Sequence, residues 1–387
     1  MEGHAKISTL PHIGIDQTGK PMMSEILSDD GTPKMIEDAW ISYLSTQGVK
    51  AGQLTAGFGA DETKIGPELT FGIYMQKRLK QPILIIKTAW GGKSINTDFR
   101  PPNAGDYPFD KKTLNRLREQ GKDIDAIQRD KKEATGFYYR KTIDHVKSVL
   151  KNIESVYPNY DSDYGYELSG IVWFQGWNDM VDRTTYPARD QPGGYDAYSS
   201  VLTHFIRDIR TDLSAPNCPF VIGVMGAGGP VASYTKEQQR YAKIHQNFRD
   251  AMAAPAAHAE FKNEVIAVLT ENSWDLELDA ILRRDNSLRE KIKQAKQEDT
   301  LIELARQLNQ GKKLDATDLE VFRNLKQQNK LESAILEKLR AKTFTAREYS
   351  ILKIGKSNAE YHYLGSGKIL AKIGKSFADA LPLKPEN

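Results

Sequence analysis

Four short, largely apolar runs stand out along the chain: Ile83 to Trp90, Leu168 to Phe174, Phe220 to Met225 and Val265 to Leu269. Runs of this length without polar alternation predict strands buried on both faces, as in a parallel sheet covered by helices. The intervals between them are long enough for helical crossovers, so the expected fold is α/β, with the second strand lying beside the first. The first three runs empty into polar or glycine-rich loops, Gly91-Gly92-Lys93-Ser94, Gln175-Gly176-Trp177-Asn178-Asp179 and Gly226-Ala227-Gly228-Gly229. Open parallel sheets bind ligands beyond the carboxyl ends of their strands, which makes these loops the first place to look for chemistry.

Between about Leu276 and Arg340 the pattern changes. This stretch has no Pro, one Gly (Gly311), one aromatic (Phe322) and many Lys, Glu, Gln and Leu, a helix-forming composition. Leu301, Leu304, Ala305 and Leu308 share one helical face, as do Leu331, Ile335 and Leu339, and Thr317 with Glu320 and Thr345 with Glu348 have capping-box spacing. The expected organisation is an α/β domain over residues 1–275, a helical insertion over 276–345, and a return to the α/β domain over 346–387. The insertion reads either as a lid or partner surface or as a solvated structural excursion. From Ser366 to Leu381, Ile369, Ile373 and Phe377 recur at helical spacing, so a closing helix is expected with Ser366 as its N-cap.

Composition narrows the function classes. At 387 residues the chain can bury a proper core, and 39% hydrophobic with 27% charged residues is ordinary for a globular protein in water. The 54 basic and 51 acidic residues interleave to a net charge of +3, so no strong field draws nucleic acid or an anionic membrane. The single Cys218 excludes an internal disulfide and reads as a buried small residue. Met1 is followed by Glu2, Gly3 and His4 with no basic and apolar leader, which leaves the localisation open.

The loop Gly92-Lys93-Ser94 after a strand superficially resembles the end of a phosphate-binding loop, but the required Gly five residues before Gly92 is Lys87. Two glycines after a buried strand instead suit a backbone that approaches a ligand and offers N–H groups to developing negative charge, although a tight turn alone would explain both. Asn178 adds a neutral amide donor that does not titrate, while an Asn in a loop is also a common turn former. His362, just before the closing helix, has the usual general-base chemistry. No spacing of His, Cys, Asp or Glu matches a metal motif, and the chemistry expected here needs neither metal nor cofactor.

Taken together, these segments resemble the SGNH hydrolases, whose blocks supply a Ser, a Gly, an Asn and a His. Gly91-Gly92 matches the Gly block, Gly176-Trp177-Asn178 the Asn block and His362 the His block. The wording of Ile65-Gly66-Pro67-Glu68-Leu69, Lys87 to Ser94, Phe174 to Asp179 and Tyr361-His362-Tyr363-Leu364-Gly365 is similar to the sialate O-acetylesterase branch, which also holds acetylxylan esterases. The resemblance spans nearly the whole chain. It implies a three-layer α/β/α fold, a flavodoxin-like parallel sheet, and an acetylated carbohydrate as substrate. It also implies catalytic roles for His362, Asn178 and Gly92, with Gly91, Gln175 and Trp177 beside the substrate. Trp90 and Trp177 could stack on sugar rings, or simply pack.

Two departures accompany the resemblance. The branch carries its nucleophile in Gly-Gln-Ser-Asn, commonly followed by Met-Glu-Gly, and this chain opens Met1-Glu2-Gly3-His4, so the Ser and the family's first central strand are expected just upstream of Met1. Ser94 is the substitute nucleophile to consider, though the family geometry sets His362 against the upstream Ser. In the His block, Asp is common three residues before His, and Ala359 stands there. Glu360, an acid elsewhere or a backbone carbonyl would then orient His362. The rival readings are a non-catalytic glycan-binding protein that keeps the fold, and a helical interaction module built on Leu276 to Arg340.

Overall fold

A computed structural model of the chain describes residues 1–294 and 330–383. Its strands are β1 (Ala5–Lys6), β2 (Ala39–Ser45), β3 (Gly48–Gln53), β4 (Lys64–Ile65), β5 (Ile83–Thr88), β6 (Ile171–Trp173), β7 (Phe220–Val224) and β8 (Val265–Leu269). Helices referred to below are α1 (Lys20–Ile26), α2 (Glu68–Leu79), α3 (Lys111–Glu119), α4 (Ile124–Ala134), α5 (Phe137–Lys151), α6 (Trp177–Val181), α7 (Asp196–Asp212), α8 (Gln239–Ala253), α9 (Leu276–Gln294), α10 (Leu331–Thr343), α11 (Ala346–Ile354) and α12 (Gly367–Ala380).

All four apolar runs become strands, and β5, β6, β7 and β8 make their larger pairings in parallel. Every residue of β7 is buried, as expected for a strand covered on both faces. Helices α2 and α12 pack on each other over one face, and α5, α7 and α8 cover the other, giving the α/β/α layering. Near the amino terminus, β1 and β4 make a separate two-residue antiparallel pair.

The sheet departs from expectation at its middle. Strands pair in two groups, β3-β2-β5 and β6-β7-β8, and β5 and β6 are not hydrogen-bonded to each other. Between their facing edges lies a cavity of about 1090 Å³, lined by Ile83 to Lys93 on one side and Leu168 to Asn178 on the other. Side chains of α2, α5, α7 and α12, including Phe71, Val146, Phe205 and Phe377, close it above and below. This explains why β5, with four consecutive apolar residues, is only half-buried along its whole length. It also shortens β6 relative to the run Leu168 to Phe174, because only Ile171–Trp173 finds a ladder partner, on β7.

Strands β2 and β3 lie outside the four apolar runs. They form a hairpin with Ser45 opposite Gly48, and β2 then pairs in parallel with β5, Ile41 opposite Ile85. The run Ala39-Trp40-Ile41-Ser42-Tyr43 disguises a buried strand because Ser42 is fully buried while Trp40 is only half-buried.

At the two described ends of the late region stand helices α9 and α10. Helices α9 and α10 are joined by buried Arg340, which donates to both oxygens of Asp285 at 2.6 and 2.7 Å. Thr345 and Glu348 form the expected capping box at the start of α11. The expected face of Leu301 to Leu308 and the box at Thr317 and Glu320 lie outside the described residues. The closing helix is α12, with Ile369, Ile373 and Phe377 buried. Ser366 does occupy its N-cap position, but its hydroxyl is buried and makes no hydrogen bond, so the expected side-chain cap is absent.

Helix α12 reaches α2 at Gly374, where an added Cβ would collide with the Pro67 carbonyl and the Thr70 hydroxyl. Thr70 Oγ1 in turn donates to Ala371 O at 2.8 Å, locking the crossing. Gly374→Ala should therefore overpack this contact and destabilise the fold by about 1–3 kcal/mol, read as a lower midpoint in urea denaturation with an unchanged slope.

Candidate active site

The Gly loop follows β5 directly. Gly92 has φ +72°, a conformation that favours glycine and turns the chain out of the strand. The next residue, Lys93, is held by its carbonyl, which accepts Gln175 Nε2 at 2.9 Å and Asn178 Nδ2 at 3.1 Å. These two bonds tie the Gly loop to the Asn loop across the end of the cavity. Gly92 N–H donates to no group among the described residues, and the Asn178 amide keeps a second hydrogen, so each retains a donor for a ligand.

Beneath them sits Asp179, a residue the motif reading gave no role. It is almost completely buried and accepts Ile95 N–H at 2.9 Å, Asn96 N–H at 3.2 Å, Gln175 Nε2 at 2.7 Å and Tyr186 Oη at 3.3 Å. Burial raises its pKa to about 6, with the four donors pulling the other way. Both hydrogens of the Gln175 amide are committed to Lys93 and Asp179, so this predicted substrate contact spends its donors inside the protein. Ser94 likewise serves its own turn: its hydroxyl donates to Asp98 and accepts Thr97 N–H.

His362 is brought to the same cavity by an unusual loop. Tyr363 and Leu364 both take left-handed backbone conformations, φ +53° and +60°, each costing roughly 1–3 kcal/mol in a non-glycine residue. The buried Tyr363 hydroxyl holds the strained turn in place by accepting Gly226 N–H at 2.9 Å and meeting Thr270 Oγ1 at 2.8 Å, at the ends of β7 and β8. The Leu364 carbonyl accepts the N–H groups of Ser357 and Asn358, closing the loop on itself. His362 Nδ1 lies 3.1 Å from Asn358 Oδ1, while Nε2 makes no hydrogen bond among the described residues. Glu360, one of the orienting acids considered, points away toward Gly228 and Gln238 instead.

The opening residues complete the site. The Glu2 carboxylate accepts Gly91 N–H and lies 3.5 Å from His4 Nε2. Burial disfavours its charge, but His4 and the Gly91 N–H outweigh that and lower its pKa. The His4 ring stacks on His362 at 4.0 Å, nearly parallel at 11°. Burial, reinforced by His4, lowers the His362 pKa from the ordinary 6.5 to about 4. Buried Lys87, the residue that excludes a phosphate loop, anchors this segment by donating to Glu2 O at 2.7 Å, Phe58 O at 2.6 Å and Glu68 at 3.0 Å. Met1 N donates to Phe174 O at 2.8 Å.

Of the predicted residues, Gly91, Gly92, Gln175, Trp177, Asn178 and His362 all line the one cavity. Trp177 stands 5.4 Å from Tyr361, which is 44% exposed beside His362, so this pair forms an accessible aromatic wall. Trp90 is buried against Tyr138 and Phe99 and belongs to the core. Sequence reasoning missed Glu2, His4, Asp179 and Asn358. For Asp179 the signal was its place directly after Asn178.

The Asp179 geometry makes a quantitative statement. Asn can offer one acceptor oxygen where the carboxylate offers two, so Asp179→Asn leaves buried N–H groups facing an NH2. This substitution should cost about 1–3 kcal/mol in chemical denaturation at neutral pH.

Comparison with known proteins bears on what this arrangement is. No curated protein matches the chain. Among solved structures, a protein from Arabidopsis thaliana is similar at 15% identity and TM-score 0.35, over 63% of this chain and 74% of that one. A carbohydrate acetylesterase from Xanthomonas citri is similar at 12% identity and TM-score 0.38, over 71% of this chain; the match covers 49% of that enzyme, about half its length. The family model for carbohydrate esterase, sialic acid-specific acetylesterase, matches residues 49–268, more than half of the chain, and includes the Gly and Asn loops. The chain therefore belongs to the sialic acid-specific acetylesterase family of carbohydrate esterases.

Proposed function

We propose that this protein is a serine carbohydrate O-acetylesterase that removes acetyl groups from sugars. The observation that carries the reading is the convergence of three unspent groups on one cavity: Gly92 N–H, the second Asn178 amide hydrogen and His362 Nε2. In the proposed mechanism a Ser hydroxyl attacks the acetyl carbonyl while His362 takes its proton. Gly92 and Asn178 donate to the oxyanion, and His362 then returns the proton to the leaving sugar oxygen. Water repeats the cycle on the acetyl-enzyme and releases acetate. Trp177 and Tyr361 offer the sugar an aromatic face beside the reacting ester.

The nucleophile in this reading is the Ser expected upstream of Met1, delivered on a strand between β5 and β6. The cavity supports it. β5 and β6 pair with no strand on their facing edges among the described residues, which leaves backbone groups there for an inserted strand to pair. Both flanking edges belong to parallel strands, and the cavity runs continuously to His362.

The test is acetate release from acetylated sugars and from a simple aryl acetate. A chain extended upstream to carry the Ser should turn over both while the 387-residue chain does not, and His362→Ala in the extended chain should lower kcat by about 10²–10⁴-fold. No turnover by the extended chain would favour glycan binding over catalysis. The pH profile gives a second check. Protonated imidazole cannot accept a proton, so activity disappears as pH falls through the His362 pKa; with that value near 4, kcat/KM should hold through pH 6 and fall only close to 4.

A further inference from the structure

The pairing of His362 with Asn358 fixes more than the position of a ring. Asn358 Oδ1 accepts Ala359 N–H at 2.7 Å and faces His362 Nδ1 at 3.1 Å. A backbone N–H can only donate, so the amide atom at that point is the oxygen and not the NH2. An amide oxygen can only accept, so the imidazole nitrogen facing it must carry the hydrogen. We propose that Asn358 is the positioning residue of the site, holding His362 as the Nδ1–H tautomer so that the Nε2 lone pair faces the cavity as the working base. The inference rests on reading His362 as the general base.

The surrounding groups leave this role to Asn358. Glu360 is turned toward Gln238 and Gly228, and Ala359 contributes only backbone. The charged or titratable groups facing His362 are His4, Glu2, Lys64 and Tyr361, and His4 and Tyr361 meet it ring to ring, not through Nδ1. Asn358 is itself fixed, since its own N–H donates to Leu364 O at 2.9 Å within the strained loop. A neutral acceptor sets the tautomer as a carboxylate would, without the negative charge that favours imidazolium. The site is thereby built to keep its base free at mildly acidic pH.

Long-range 15N–1H spectra of the 387-residue chain test this without requiring turnover. The His362 signals should show a pyrrole-type Nδ1 and a pyridine-type Nε2. Asn358→Ala should convert His362 to a mixture of tautomers, and Asn358→Asp, which keeps an acceptor in place, should retain the Nδ1–H form while raising the pH of protonation by about one unit or more. In the acetate-releasing extended chain, Asn358→Ala should lower kcat roughly 10- to 100-fold with little change in KM, with recovery in Asn358→Asp and its acid limb displaced upward. An Nε2–H tautomer in the parent chain, or spectra unchanged in both variants, would overturn the assignment. An Nδ1–H tautomer in an extended chain that hydrolyses no ester would leave the assignment standing and remove the esterase reading.

Discussion

The buried carboxylate of Asp179 holds the two ligand loops to one another. It accepts donors from Ile95 and Asn96 in the loop after β5, and from Gln175 and Tyr186 around the loop after β6. Those strands share no ladder with each other, so no direct strand pairing sets the distance between Gly92 and Asn178. A carboxylate with four donors does, and it does so from beneath the site, where a charged group can be buried because its hydrogen bonds are made. The Lys93 carbonyl, shared by Gln175 and Asn178, carries the same restraint up to the surface that a substrate would meet.

The His loop is positioned by a different device. Two left-handed residues after His362 are tolerated because Tyr363 is buried and its hydroxyl is satisfied at the ends of β7 and β8. The base is thus tied to one half of the sheet, and the Gly loop to the other. The cavity between the halves is where the two meet, which is why the proposed nucleophile has its place there. An oxyanion site preorganised by internal hydrogen bonds loses little to reorganisation when charge develops.

Much of this was legible in the sequence. Largely apolar runs identified β5, β7 and β8, and in β7 every residue is buried, so no polar alternation hides the strand. Gly92 and Asn178 could each be read as turn formers, and their joint place in loops after two apolar runs is what singled them out, while the closing helix showed itself in Ile369, Ile373 and Phe377. The separation of β5 from β6 was not legible, since pairing depends on which edges meet and two apolar runs do not state their order. Asn358 and Asp179 were hidden for a related reason. An Asn or Asp in a loop looks like a turn former until a partner distant in sequence, or a backbone fold such as the 357–365 loop, shows where its oxygens go. Glu2 and His4 reach His362 across nearly the full length of the chain, a proximity that no local pattern encodes.

The central proposal is that a serine upstream of Met1, activated by His362, attacks the ester in this cavity. A fluorophosphonate that forms a stable adduct with activated serines, followed by peptide mass spectrometry of the upstream-extended protein, tests it directly. The account predicts a single adduct on the serine just before Met1, abolished by His362→Ala. An adduct on Ser94 or any other serine within residues 1–387, or ester hydrolysis with no adduct at all, would contradict it.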